Sequence, residues 1–140
     1  MAGWALCMTL VLAALAGAAR ETRYEKFVRQ HVDYPQTSVQ QAHRYCDIMV
    51  QRRKVIARDN HCKTLNTFVH APAQDLVDAC SQMPDAAGRF TTPGRLSLTA
   101  CRLRTGTTWP RCTYRPRQDQ HFVLVNCING LPVHLDSTRP

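Results

Sequence analysis

Three segments of this 140-residue chain carry side chains that could do acid–base chemistry, and the C-terminal one is the clearest. Strand alternation over residues 131–136 separates an apolar face, with Leu131, Val133 and Leu135, from a second face with Pro132, His134 and Asp136. His134 therefore leaves the apolar face with Asp136 on its own side. A carboxylate in that position can orient an imidazole.

The other two segments present Lys63 and His31. In an extended segment after Cys62, alternation puts Lys63 and Thr67 on the same face. On a helix, Phe27 and His31 lie one turn apart, so Phe27 can be buried and hold His31 in place. Two histidines can supply a base and an acid near neutral pH, because the unperturbed pKa of histidine is about 6.5.

Each of these residues also has a purely structural interpretation. A single His on a helix is commonly structural or solvated, and a Lys in a strand commonly lies at a solvated edge. Thr67 has ordinary β-propensity. The patterns by themselves therefore predict core faces and not an activity.

Three helices are predicted to position these groups. The first carries Tyr24, Phe27, Val28 and His31 on one face and is stopped by Pro35. A capping box at Ser38-x-x-Gln41 predicts the second, whose inward residues are Ala42, Tyr45, Cys46, Met49 and Val50. Pro72 suits the first turn of the third, whose inward residues are Leu76, Val77 and Cys80.

Strand-like segments dominate the remainder, at about residues 62–70, 95–104, 111–116, 121–128 and 131–136. Asn129-Gly130 separates the last two and predicts a tight hairpin. No repeat, linker or long low-complexity stretch divides the chain. We therefore expect one α+β domain with three short helices and a twisted antiparallel sheet.

The first nineteen residues contain no charged side chain. Their apolar run, Leu6 to Leu15, is shorter than a membrane span, and Ala16-Gly17-Ala18 has the small-x-small form that signal peptidase recognises. We therefore predict a signal peptide over residues 1–19 and a secreted mature domain over residues 20–140.

The cysteines agree with secretion. Cys7 lies in the predicted signal peptide, which leaves an even set in the mature chain: Cys46, Cys62, Cys80, Cys101, Cys112 and Cys127. Such a set predicts disulfides, although spacing alone does not choose the pairing. A zinc site is disfavoured, because there is no Cys-x-x-Cys pair and the adjacent residues His61 and Cys62 do not form a standard chelating pair.

The formal net charge of +8 lies entirely in the mature chain, and Arg supplies 15 of the 18 basic residues. Guanidinium groups suit bidentate contacts with phosphate. A secreted domain of this charge favours polyanions, namely nucleic acid, glycosaminoglycan or anionic lipid. Composition does not rank these three.

Three motifs resemble those of the pancreatic-type ribonuclease superfamily. Residues 27–31, FVRQH, resemble its Phe-x-x-Gln-His motif, and residues 62–68, CKTLNTF, resemble its Cys-Lys-x-x-Asn-Thr-Phe signature. Residues 132–136, PVHLD, resemble its C-terminal catalytic segment. The motifs occur in the family's order, and the six cysteines are similar to those of the angiogenin-like and non-mammalian branch.

The resemblance implies three disulfides, Cys46–Cys101, Cys62–Cys112 and Cys80–Cys127. It also implies RNA cleavage without a metal or other cofactor, with His31 as base, His134 as acid and Lys63 stabilising the transition state. The product would be a 2′,3′-cyclic phosphate, so DNA, which lacks the 2′-hydroxyl, would not react. The substrate-binding residues implied in the same way are Gln30, Asn66, Thr67, Asp136, Lys26 and Arg29. Among these, Thr67 would read a pyrimidine and Asp136 would support His134.

The sequence departs from the family pattern at three places, and these limit which family properties we expect of this chain. Ile128 stands where the family has an acidic residue linked to the second base, Leu135 replaces the aromatic residue of the digestive enzyme, and residues 137–140 form a short tail. We expect turnover above that of a typical angiogenin and below that of the digestive enzyme. Residues 51–54, QRRK, lie where angiogenins carry a nuclear-targeting cluster, which predicts uptake into the nucleus.

Two functions remain open at this point. One is RNA cleavage, and the other is angiogenic signalling or host defence through the cationic surface. The expected partners are RNA, cell-surface glycosaminoglycans or anionic bacterial membranes, and, by the resemblance alone, a ribonuclease inhibitor. We expect a monomer.

Overall fold

The computed structural model describes residues 20–140, so the predicted signal peptide lies outside the described residues. The described part of the chain forms three α-helices, α1 (Arg23–His31), α2 (Tyr45–Arg52) and α3 (Ala73–Ala79). Five strands accompany them: β1 (Leu65–Val69), β2 (Phe90–Thr91), β3 (Leu96–Thr105), β4 (Thr113–Ile128) and β5 (Leu131–Arg139). The predicted α+β class with three helices is confirmed. No helix in this range is both long and apolar enough to cross a bilayer.

The sheet is antiparallel and is organised around the long strand β4. β3 pairs with the first half of β4, while β5 and the short β2 pair with its second half. β1 pairs with the free edge of β3. The sequence predicted two strands where β4 is one, because the polar residues 117–120 resemble a connection. They are instead paired with β3.

The helices follow the predicted order, but their ends differ from the prediction. The capping box lies at the start of α1, where Thr22 and Glu25 each accept the other's backbone N–H at 3.0 Å. The predicted capping box at Ser38 is wrong, since a 3₁₀ turn over Ala42–Arg44 leads into α2. Ala42 is consequently exposed instead of inward.

Burial along α3 also differs in part from the prediction. Leu76 is buried as expected, and Ala79 is buried with it. Val77 and Cys80 are only half-buried. The helix therefore packs on the sheet through a narrower face than the sequence indicated.

Three disulfides close the described fold: Cys46–Cys101, Cys62–Cys112 and Cys80–Cys127. They are the three pairs that the resemblance implied. Two clusters of buried side chains flank the sheet, one around Met49, Phe68 and Tyr114, and one around Phe27, Val69 and Leu98. Phe27 is 2% exposed, so α1 is held against the sheet at the point from which His31 projects.

The predicted hairpin between β4 and β5 is confirmed, with Asn129 and Gly130 at positive φ. The predicted alternation along β5 holds over residues 133–136, where His134 and Asp136 are exposed and Val133 and Leu135 are half-buried. It fails at the start of the strand, because the register with β4 shifts twice. The shifts add one unpaired residue on each side of His134. As a result Pro132 is buried and Leu131 is exposed, the reverse of the expectation.

Candidate active site

A cleft of about 610 Å³ brings together the three side chains expected to do chemistry. His31 from the end of α1, Lys63 just before β1 and His134 from β5 all line it. Its floor is formed by facing positions of β1, β3 and β4. Groups separated by about a hundred residues of chain therefore share one cleft.

The His31 ring has a defined tautomer in this site. Its Nδ1 lies 2.9 Å from the backbone oxygen of Thr67. Because a carbonyl can only accept, Nδ1 must carry the proton and donate, which leaves Nε2 with its lone pair free. The Phe27 ring, 5.2 Å away between centroids, packs against the imidazole. The position and the tautomer of His31 are thus both set by its neighbours.

Burial lowers the pKa of His31 to about 3, and the positive charge of Lys63 acts in the same direction. His134 adds a smaller lowering of that pKa, while the hydrogen bond to Thr67 partly opposes the shift. At neutral pH the imidazole is therefore uncharged, which is the form a general base requires.

Lys63 is held by a chain of hydrogen bonds that passes through a buried amide. Its Nζ donates to Asn66 Oδ1 at 2.9 Å, and Asn66 Nδ2 donates to the Gln30 carbonyl at 3.0 Å. Asn66 is only 1% exposed, so it joins α1 to Lys63 and orients the ammonium group. Burial lowers the pKa of Lys63, and nearby Lys26 lowers it further.

Thr67 also lies in the cleft, on the strand that holds His31. It is 6% exposed, and the strand register places it beside Ala100 of β3. The backbone oxygen of Thr67 is used by His31. Its side chain lines the cleft beside the methyl group of Ala100.

Asp136 lines the cleft but does not form the expected contact with His134. Within residues 20–140, its Oδ2 accepts from Ser137 Oγ at 2.8 Å and from the Arg89 guanidinium at 3.4 Å. The register shift at Asp136 adds an extra residue to β5 beyond Leu135. His134 and Asp136 share the exposed side of β5 that lines the cleft, but Asp136 is the extra residue at this shift.

The basic groups expected to contact phosphates lie outside the cleft lining. Lys26 is exposed on α1. The Arg29 guanidinium forms an ion pair with Glu21 at 2.7 Å and donates to the carbonyls of Arg53 and Lys54. Arg29 therefore joins α1 to the segment after α2, and Gln30 contributes its carbonyl to Asn66.

Arg53, in the basic cluster at residues 51–54, is similarly occupied. Its guanidinium donates to the Val32 carbonyl at 2.7 Å and to the Arg29 carbonyl at 3.0 Å. It also lies 3.3 Å from the buried carboxylate of Asp33. This side chain therefore joins the end of α2 to the end of α1 and the residues that follow it.

Comparison with known proteins decides the family. A family model described as pancreatic ribonuclease matches residues 22–136. The chain belongs to the pancreatic ribonuclease family. It is a ribonuclease of the pancreatic type, and its substrate is RNA.

Relatives of this ribonuclease match it over most of their length. Ribonuclease CL2 of Gallus gallus is 56% identical over 119 residues, covering 85% of this chain and 98% of that protein. Angiogenin of Gallus gallus is 43% identical, covering 84% of this chain and 81% of that protein. The crystal structure of green turtle egg white ribonuclease has a TM-score of 0.77 and 40% identity, covering 85% of this chain and 100% of that one.

A row of charged groups along the ribonuclease cleft was not predicted from the sequence. Their shared feature is alternate spacing along β4, which puts every second side chain on the cleft face: Arg115, Arg117, Asp119 and His121. Arg102 of β3 lies directly opposite Arg115 in the register. Alternate spacing of charged residues from 115 to 121 is present in the sequence. It was not interpreted as a strand face because residues 117–120 were assigned to a connection.

Between residues 20 and 140, no group of three or more His, Cys, Asp or Glu side chains is placed to hold a metal ion.

Proposed function

We propose that this ribonuclease cleaves RNA by internal transphosphorylation, with His31 and His134 as the acid–base pair. His31 Nε2 removes the proton of the ribose 2′-hydroxyl, and the 2′-oxygen attacks phosphorus. The bond from phosphorus to the 5′-oxygen breaks, and His134 protonates the leaving oxygen. The product carries a 2′,3′-cyclic phosphate, which water opens with the two roles reversed.

The observation that carries this proposal is the hydrogen bond from His31 to the Thr67 carbonyl. It directs the proton to Nδ1 and leaves Nε2 as a base in the cleft that also contains Lys63 and His134. An entering phosphodiester is anionic, so it would offset the positive charge of Lys63 that lowers the pKa of His31. The imidazole would therefore become a stronger base when substrate is bound.

Lys63 would stabilise the additional negative charge that develops on the phosphoryl oxygens. Its ammonium group is half-buried and oriented by Asn66, so little reorganisation is needed as the charge develops. Gln30 would donate to a phosphate oxygen through its side-chain amide. In this scheme Asn66 orients Lys63 and is hydrogen-bonded to the Gln30 carbonyl, and it does not contact the nucleobase of the RNA.

We propose a preference for pyrimidines on the 5′ side of the cleaved bond. The Thr67 hydroxyl can donate to or accept from a base edge, since its proton rotates. It can therefore pair with either uracil or cytosine. Lys26 and Arg29 would contact a neighbouring phosphate; for Arg29 this requires its guanidinium to share or leave the ion pair with Glu21.

The test is cleavage of defined RNA dinucleotides by residues 20–140. His31→Ala and His134→Ala should each reduce kcat/KM by about a thousandfold, in line with the loss of a catalytic acid or base, and Lys63→Ala by a similar factor. His43→Ala is the matched control, because His43 is exposed on the 3₁₀ turn before α2. Detection of the cyclic phosphate by ³¹P NMR identifies the pathway. Full activity of the His134 variant, or equal cleavage of a 2′-O-methyl analogue, would refute the mechanism.

We further propose that the protein is secreted and acts in angiogenesis or host defence. The three disulfides suit an oxidising compartment. One relative at 43% identity is named angiogenin. The formal charge of +8 favours a second candidate, in which the cationic surface carries the biological effect and catalysis contributes little.

A further inference from the structure

Arg89 connects the segment before β2 to the strand that carries His134. Its Nε lies 2.9 Å from Asp85 Oδ2, and a terminal nitrogen of the same guanidinium lies 3.4 Å from Asp136 Oδ2. Asp85 is itself anchored, since its carboxylate accepts the backbone N–H groups of Ala87 and Arg89. The guanidinium therefore bridges a fixed loop carboxylate and Asp136.

Because of the position of Asp136 in β5, this bridge helps to determine where the Asp136 carboxylate lies. Asp136 is the extra residue at one register shift, so the backbone ladder does not dictate where its carboxylate lies. Its neighbour Ser137 donates to the same oxygen at 2.8 Å. Two donors thus hold Oδ2 outside the contact with His134 that the motif predicted.

We propose that Arg89 is a positioning residue that restrains catalysis by holding Asp136 away from His134. This inference rests on the proposed role of His134 as the general acid. A carboxylate beside an imidazole favours its protonated form and selects its orientation. With Asp136 engaged by Arg89, the imidazole lacks that support, and release of Asp136 would restore it.

Several other charged groups line the cleft that contains His134, and the test must separate their effects from that of Asp136. His31 lies on α1 and Lys63 precedes β1. The facing groups on β3 and β4 are Arg102, Arg115, Arg117, Asp119 and His121. None of them changes in the variants below, so a shift that depends on Asp136 can be assigned to Asp136.

The experiment compares Arg89→Gln, Asp136→Asn and the double variant with the parent in dinucleotide cleavage across pH. Arg89→Gln should raise kcat by about threefold to fivefold, the range expected for an exposed ion pair. The alkaline limb of the rate profile should move to higher pH, because the acid stays protonated longer. In the Asp136→Asn background, Arg89→Gln should give no gain over Asp136→Asn alone.

Arg104→Gln is the matched control, because it removes the same charge from an exposed side chain of β3 outside the cleft lining. NMR titration of the His134 ring supplies a readout besides turnover, and its pKa should rise in Arg89→Gln. Unchanged kcat and ring pKa in a folded Arg89→Gln protein would overturn the inference, as would a gain that persists without Asp136 or appears in Arg104→Gln. Loss of cleavage from the parent, or full activity of His134→Ala, would instead refute the proposed function.

Discussion

His31 shows how its immediate surroundings give one residue a chemical role. The side chain is 5% exposed, and burial disfavours its charged form. The Thr67 carbonyl then selects which nitrogen keeps the proton. The imidazole is therefore uncharged at neutral pH with Nε2 unprotonated, which is the state that its proposed role as the base requires.

The burial of His31 predicts an acid-sensitive stability. Its folded pKa of about 3 lies below the unfolded value of about 6.5, so the unfolded chain binds more protons between these values. The contribution is complete above the unfolded pKa and is lost as pH falls through this window. We expect the free energy of unfolding to fall by roughly 2 kcal/mol between pH 7 and pH 4.5 on account of this residue. Urea unfolding at the two pH values measures it.

Two variants test whether His31 causes this pH dependence of stability. His31→Gln removes the buried titrating group, so its stability should depend much less on pH over this range. His43→Gln, at an exposed position, should keep the parent's dependence. Equal slopes in the parent and in His31→Gln would show that the burial of His31 does not control acid stability.

At the scale of elements, the β4–β5 hairpin determines where His134 is presented. Asn129 and Gly130 have φ values of 52° and 77°, as a two-residue type I′ turn requires. The turn was readable from two letters of sequence because it depends on local backbone preference. The two register shifts beyond it were not readable, since they depend on how β5 packs against β4 and α1.

Replacement of Gly130 tests the local part of this argument. Gly130→Ala should destabilise the protein by about 1 kcal/mol, because the left-handed conformation is costly for a residue with a Cβ. No heavy atom lies within 4 Å of the added Cβ, so the cost is one of backbone conformation. Gly94 is equally open and is not at positive φ, so Gly94→Ala should cost much less. Thermal unfolding of the pair measures the difference, and equal losses would contradict it.

Across the whole molecule, the disulfides and the charge act on the same cleft. Cys62, which directly precedes Lys63, is disulfide-bonded to Cys112. Cys127, which lies near the turn of the β4–β5 hairpin that carries His134, is disulfide-bonded to Cys80. These cross-links reduce the conformational freedom of the unfolded chain and tie the site's separate segments together. The net charge of +8 surrounds the site with a field that attracts polyanions.

The two candidate biological roles can be distinguished by measuring the activity of one catalytic-site variant and the dependence of activity on salt concentration. If catalysis carries the effect, His31→Ala should abolish angiogenic or bacterial-killing activity by the same factor as RNA cleavage. If the cationic surface carries it, the variant should remain active and the effect should weaken as salt rises from about 50 to 200 mM, because exposed charges are screened. Cell assays with the parent, His31→Ala and His43→Ala distinguish the two candidates.

The sequence by itself determined the residues proposed for catalysis, the six cysteines of residues 20–140, the tight hairpin and the division into helices followed by strands. Each of these depends on neighbouring residues, on side-chain periodicity or on a motif contained in one segment. Only the tertiary structure decided the tautomer of His31, the continuity of β4 and the capture of Asp136 by Arg89. Those outcomes depend on which distant segment supplies a hydrogen-bond or charge partner, and spacing along the chain does not encode that choice.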